Sequence, residues 1–272
     1  MKKNLLTSWA VISCALFTAS HANSADWSDS SIGVRYGTHY SEAGVGRGIT
    51  KTIYNFTHVD GDAYGVNFFT VDVLESDSGD PAANSHDGAQ EVYGLYQRTI
   101  PLSVFGWDPK SYDVFNKASL LFRVDLGSKN TAFAPRPRKY RLGLNFPLPI
   151  EKGLWDLSFS AYKESNHNGI VGRDVNYDTT WSLGSVWSIP AGPGNFGGFL
   201  NVTGPKGKDG FNNDTKTEVL LRVSYLFDIG KTGLKAGLAY EHWRNMYGCD
   251  EALDDTGGSR GNTPMIITEY HF

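Results

Sequence analysis

Alternation constrains this chain more than any other feature. From about residue 30 onward, apolar and polar side chains exchange places at every second position, which is the period of a β-strand and not of a helix. Ile32, Val34, Tyr36 and Tyr40 alternate with Gly33, Arg35, Gly37 and His39. Leu120, Phe122, Val124 and Leu126 oppose Ser119, Arg123 and Asp125; Tyr140, Leu142, Leu144 and Phe146 oppose Lys139, Arg141 and Asn145. Trp155, Leu157, Phe159 and Ala161 face away from Asp156, Ser158 and Ser160, and Tyr177, Trp181, Leu183 and Trp187 from Asp178, Thr180 and Ser182. Val219 to Phe227, Leu234 to Tyr240 and Ile266 to Phe272 repeat the pattern against Glu218, Arg222, Lys235, Glu241 and Glu269. Less regular runs at 49–59, 64–74, 89–99 and 196–203 bring the total to about twelve strands. Alternation leaves the phase of 49–59 and 89–99 open, and a slip of one residue would reverse every facing on them.

The polar faces carry charges of both signs on nearly every strand. A soluble β-sandwich wets one face of each sheet and buries the other. A barrel spanning lipid does the converse: its apolar face meets lipid, its polar face lines an aqueous lumen, and closure satisfies the backbone amides inside the bilayer. The connections agree. Asp60–Ala63, Glu151–Gly153, Pro190–Asn195 and Asp228–Thr232 are short and rich in Gly, Pro and Asp, whereas 75–88, 164–176, 205–214 and 244–261 are long and polar. The expected fold is therefore all-β: an antiparallel transmembrane β-barrel of about twelve strands, with short periplasmic turns and longer extracellular loops. The segment 100–116 departs from this as a long connection on the short-turn side. Tyr36, Tyr40, Trp155, Tyr177, Trp187, Tyr225, Tyr240 and Tyr270 lie near strand ends, where aromatic girdles belong.

The first residues read as a secretory signal peptide over 1–22: Lys2 and Lys3, an apolar run from Leu5 to Phe17, and Ser20-His21-Ala22 as cleavage site. A retained anchor helix, or lipoprotein processing at Cys14, are the alternatives. The barrel then occupies 23–272. Cleavage removes two basic residues and no acidic one, so 23 Lys and Arg face 29 Asp and Glu and the formal charge moves from −4 to −6. That balance disfavours nucleic acid as a partner. Cys249 is left as a single cysteine, so no internal disulfide is expected.

Several segments carry a resemblance to a known family. They are Lys51-Thr52-Ile53-Tyr54-Asn55-Phe56-Thr57-His58 with Asp60-Gly61, the run Tyr64 to Leu74, Ser76-Asp77, Asp80-Pro81, Gly88-Ala89-Gln90-Glu91-Val92-Tyr93, Ser165-Asn166, Gly207-Lys208-Asp209, Tyr240-Glu241-His242-Trp243, Thr263-Pro264-Met265 and Glu269-Tyr270-His271-Phe272. Together they resemble the Tsx-like outer-membrane channels, whose founding members are nucleoside-specific. The chain is closer to a separate branch than to those founders, which have a longer N-terminal segment and a more aromatic lumen. The resemblance implies a twelve-stranded monomeric barrel with a narrow pore in the outer membrane of a Gram-negative bacterium. Phe272, with Tyr270 two positions before it, resembles the terminal-strand signal read by the barrel assembly machinery.

A selective pore needs polar and aromatic groups in a confined lumen. Alternation places Arg35, His39, Asp72, Glu91, Arg123, Arg141, Asp178, Glu218, Arg222, Glu241 and Glu269 inward, with Asp125 and Lys139, and with Phe68, Tyr93, Phe199 and Trp243 as inward aromatics. These can bind a passing solute, a flat face for a base and partners for hydroxyls, or they can form cross-lumen salt bridges that stiffen the barrel. Gly257-Gly258-Ser259-Arg260-Gly261 fits G-x-S-x-G but lacks the following helix of a nucleophile elbow. Ser165-Asn166-His167 holds hydrolase residue types in an unfavourable order. Asp77, Asp80 and Asp87, and Asp250, Glu251, Asp254 and Asp255, form acidic loops without EF-hand spacing, suited to meeting lipopolysaccharide through divalent ions. The expected function is passive diffusion of small polar solutes, nucleosides by resemblance, with no enzymatic step, metal or cofactor. The expected surroundings are outer-membrane lipid and lipopolysaccharide. The alternatives are a non-conducting surface protein of adhesive or phage-receptor type, or an outer-membrane hydrolase.

Overall fold

The computed structural model describes residues 25–107 and 117–272. The expected signal peptide and most of the connection 100–116 lie outside those residues. One antiparallel sheet contains β1 (Trp27–Glu42), β2 (Gly46–Asp62), β3 (Gly65–Ser76), β4 (Gln90–Pro101), β5 (Ser119–Lys129), β6 (Arg138–Pro147), β7 (Leu154–Asn168), β8 (Arg173–Asn176), β9 (Thr180–Ala191), β10 (Gly194–Thr203), β11 (Glu218–Asp228), β12 (Leu234–Arg244) and β13 (Arg260–His271). Each strand pairs with its sequence neighbour, except that β7 pairs with both β8 and β9. The first strand meets the last, Ser31 opposite His271 through Tyr36 opposite Ile266, and the ring closes. β8 only extends the upper end of β7, so twelve strands form the wall. No helix among the described residues is long and apolar enough to cross a membrane. The strands cross instead.

The outside is apolar. Ile32, Tyr54, Val92, Leu126, Leu142, Phe159, Leu238 and Ile266 are all exposed, and all sit on the face opposite the charges. In water such a surface would be costly, at about 25 cal/mol per Å² of apolar area. In hydrocarbon it is the surface that belongs there. Closure pairs each of the twelve wall strands on both sides, as a wall inside hydrocarbon requires. The chain is a transmembrane β-barrel.

Two ends of the cylinder differ. At one end the strands are joined by tight turns such as 63–64, 192–193 and 229–233, beside the first residue of β1 and the last of β13. Gly65 there has φ +142, and a Cβ would lie 1.9 Å from the Thr99 carbonyl oxygen, so this hairpin admits only glycine. The connection after β4 continues as a 3₁₀ turn at Leu102–Phe105. At the other end lie 77–89, 130–137, 204–217 and 245–259, together with the tight turn 43–45. The expected loop 164–176 is mostly strand, because β7 runs to Asn168 and turns back as β8.

An aromatic belt rings the short-turn end. Trp155 touches Trp187 (6.5 Å between centroids), which touches Phe196 (6.0 Å), and Tyr225 meets Phe227 edge-on at 4.8 Å. Tyr40 and Tyr177 do not belong to a girdle. Both are buried inside, Tyr40 because a bulge between Gly37 and Tyr40 reverses the facing of β1. Tyr40 joins Ile49, Ile53, Ala239, Met265 and Ile267 in an apolar cluster on the inner wall, its hydroxyl donating to the Met265 sulfur at 2.9 Å.

Candidate functional site

The site is the lumen, and its chemistry follows from which strands face it. The β4 and β2 registers fix the phases that alternation left open: Lys51, Ile53, Asn55 and Thr57 point inward, as do Glu91 and Tyr93. Phe68 and Asp72 lie on the inner face of β3, opposite the exposed Phe69 and Val73.

The long-loop end is sealed by charge. Lys51 and Lys129 both reach Glu42 (3.0 and 2.7 Å) and Asp80 (3.6 and 2.8 Å). All four side chains are under a tenth exposed, and Glu91 adjoins them. Glu42, Lys51 and Lys129 come from strands; Asp80 comes from loop 77–89, dropped into the mouth. The Tyr247 hydroxyl donates to Glu42 at 2.9 Å from loop 245–259. Tyr247 holds φ +60, a left-handed conformation that a bulky side chain adopts only when its contacts hold it there. A second seal lies toward β7. Lys206, from loop 204–217, pairs with Glu164, which also accepts the Tyr162 hydroxyl at 2.6 Å. The Lys206 ammonium sits 4.3 Å over the Tyr177 ring. Glu164, Lys206 and Tyr162 are at most 2 % exposed, so water does not reach this cluster. Buried charges of this kind are tolerable only when each is paired and hydrogen-bonded.

Below the seals the lumen is lined by further pairs, of which Arg35, Asp125, Glu218 and Glu241 are again buried. Arg35 meets Asp72 at 2.5 Å, and Asn55 donates to the other Asp72 oxygen at 2.7 Å. Arg222 binds Glu241 through two donors (2.8 and 2.6 Å) and lies 5.2 Å over Phe199. Arg123 holds Asp125 with a bidentate pair (2.6 and 2.7 Å), and Tyr93 adds a third donor at 2.8 Å. Glu218 accepts from the Trp243 indole at 2.8 Å. Glu269 lies beside His271 near the short-turn end. Arg141 reaches Asn201 across β7 and β9 at 2.8 Å. Val186, on the register line of Asp156 and Phe199, is 46 % exposed although it faces inward.

Two expected lumen residues are elsewhere. His39 is exposed on the other side of the wall, since the bulge in β1 places Thr38 and His39 together there and turns Tyr40 inward. Asp178 is exposed in the roof, where 177–179 leaves the sheet between β8 and β9; its amide donates to the Lys206 carbonyl. Alternation carries no information across such breaks. It does extend along β7, so Tyr162 and Glu164 follow from Asp156, Ser158 and Ser160 by counting in twos. Asp80, Lys206 and Tyr247 had no such signal, because loop residues enter the lumen through tertiary contacts.

The catalytic motifs are absorbed by structure. Ser259 is 1 % exposed, and both its amide and hydroxyl donate to Asp254 (2.6 and 2.5 Å). Although burial works against it, hydrogen bonds from Ser259 and Thr256 hold the Asp254 carboxyl below the ordinary carboxylate range. His167 bonds Asp174, not a serine. Ser30, His58 and Asp60 do line up on the strands (2.8 and 3.3 Å), and Asp60 also accepts from Asn67. Among the described residues no three His, Cys, Asp or Glu side chains come together as a metal site. Burial and the nearby Asp209 push the Cys249 thiol up to about 11.

No protein-family model matches the chain, and no curated protein sequence matches it. Among solved structures it is similar to the KdgM porin, with 11 % identity and a TM-score of 0.46 over 89 % of this chain and 99 % of that one. It is also similar to the translocator domain of the autotransporter NalP from Neisseria meningitidis, with 12 % identity and a TM-score of 0.42 over 93 % and 90 %. Pseudomonas aeruginosa OccK1 (OpdK) follows at 9 % identity and 0.29 over 90 % and 98 %. Scores at this level single out no relative among barrels.

Proposed function

We propose that this chain is an outer-membrane channel of a Gram-negative bacterium for passive diffusion of small polar solutes. One observation carries the reading: the inner wall leaves polar atoms of Arg141 and Asp156 without a partner, beside the partly exposed Phe199 ring and the half-exposed, inward-facing Val186. A wall meant only to be rigid would pair them. The groups that close the mouth from loops, Asp80, Lys206 and Tyr247, lie on 77–89, 204–217 and 245–259, so passage requires those loops to lift. The resemblance to Tsx-like channels favours nucleosides, whose bases would lie on Phe199 and whose hydroxyls would meet the polar wall. We expect a monomer bathed in lipid and lipopolysaccharide, with Phe272 as the residue read by the assembly machinery.

The test is single-channel conductance of the refolded protein in a planar bilayer. The channel reading expects discrete steps, of longer open time in Asp80→Asn, and saturable block by a solute that binds the lumen. Folded barrels that give no steps, in the parent and in Asp80→Asn, would overturn it. The sealed mouth favours one second reading, a surface protein whose loops do the work. In that case loop exchange would abolish function with no conductance to lose.

A further inference from the structure

Arg141 is out of balance with its surroundings. In the β5–β6 register it stands directly opposite Arg123, on the same inward face. Like charges at such positions repel and destabilise a sheet. One carboxylate, Asp125, serves both arginines, and its hydrogen bonds go to Arg123 (two) and Tyr93 (one), none to Arg141. Arg141 forms no ion pair among the described residues. One nitrogen bonds the neutral Asn201, its guanidinium lies 5.4 Å from the Tyr162 ring centroid, and its Nε is buried without a partner. Lys139, two residues away, lies over the Tyr93 ring at 5.4 Å and is likewise without an ion pair.

We infer that Arg141, with Lys139 beside it and Asn201 of β10 against it, is a subsite for an anionic oxygen group, a carboxylate or a phosphate, on the solute the channel passes. A guanidinium fork suits that planar or tetrahedral group better than it suits a neutral hydroxyl. The bound anion supplies the counter-charge that the Arg123–Arg141 pair lacks. Phe199, two residues from Asn201 on the same face, offers a flat surface for the uncharged part of the ligand. The inference rests on the channel reading and narrows it: a nucleoside alone leaves Arg141 unanswered, whereas an acid or phosphate ester of similar size does not.

The experiment is calorimetric titration of the refolded, detergent-solubilised protein with uridine, uridine 5′-monophosphate and glucuronate, alongside conductance in the presence of each. The two anionic probes separate phosphate from carboxylate. The expected result is binding and block by at least one of them, weaker for uridine, a loss of about tenfold in Arg141→Gln, and partial recovery in Arg141→Lys. Anion binding that survives Arg141→Gln unchanged, or uridine binding as tightly as its monophosphate, overturns the subsite. A lowered melting temperature in Arg141→Gln with unaltered affinity also overturns it, since Arg141 would then be structural. Anion binding that depends on Arg141 in a barrel that never conducts would overturn the channel and keep the subsite.

Discussion

The two halves of the lumen use the same residue types to opposite ends. At the mouth, Glu42, Lys51, Asp80 and Lys129 pair with one another and are nearly closed to water, although one Asp80 oxygen is left unbonded. Arg141, level with Tyr162 just beneath the second seal, and Asp156, toward the short turns, each keep an unbonded polar atom, and an inward valine is nearly half exposed. The difference lies in where the partners come from. In the lower half every group is held by a strand, whose spacing is fixed by the ladder. In the upper half loops deliver Asp80, Lys206 and Tyr247 to strand charges that would otherwise be stranded. Charge on a wall is thus not a sign of an open bore; what decides is whether a loop can reach it.

The comparison breaks most clearly at Asp80. Asp80→Asn leaves two buried ammonium groups to share Glu42, and we expect a loss of about 3–5 kcal/mol in urea unfolding followed by heat-modifiable gel mobility. Loop 77–89 should become a protease target in the same variant. Lys206→Met strands Glu164 and should cost about 3 kcal/mol, with most of it recovered when Glu164→Gln is added. A double variant no better than the single would show that the pair is not the unit that closes the mouth. Tyr247→Phe removes one hydrogen bond to a carboxylate and relieves nothing of the backbone, for about 1.5 kcal/mol. Its sharper readout is Cys249, whose thiol at about 11 should alkylate slowly at pH 8 in the parent and faster once the loop loosens. By contrast, Arg141→Gln should change stability by no more than about 0.5 kcal/mol, because it removes a repulsion along with a bond.

The smallest effect is on pH. Asp254 has a lowered carboxyl, so what it contributes to loop 245–259 is complete above the ordinary carboxylate value and fades as pH falls through the lower, folded value. The Ser259 amide resonance should follow that titration, with a midpoint below about 3.9. A midpoint at or above that value would mean the Asp254–Ser259 bond does not persist in solution.

Most of the wall was legible. Period-two alternation assigned both faces of β5, β6, β11, β12 and β13, because each side chain there answers only to lipid or lumen. It failed where that local rule is interrupted. Inserted residues in β1 displaced His39, and a departure from the sheet displaced Asp178. The seals were illegible for a different reason. Nothing in the sequence near Asp80 says that Lys51 and Lys129 will lie beneath it, since that meeting depends on the shear of the whole cylinder.

That shear is completed where the first strand meets the last. The β1–β13 ladder runs only from Ser31 opposite His271 to Tyr36 opposite Ile266 before the bulge interrupts it. A slip of one residue there is forbidden, because it would turn a lipid-facing row into the lumen. A slip of two would keep every residue on its side while altering strand tilt and therefore diameter. This short stretch closes the ring, so its register, added to those of the other strand pairs, fixes the circumference of a bore that its own inward members Arg35, Ile267 and Glu269 help to line.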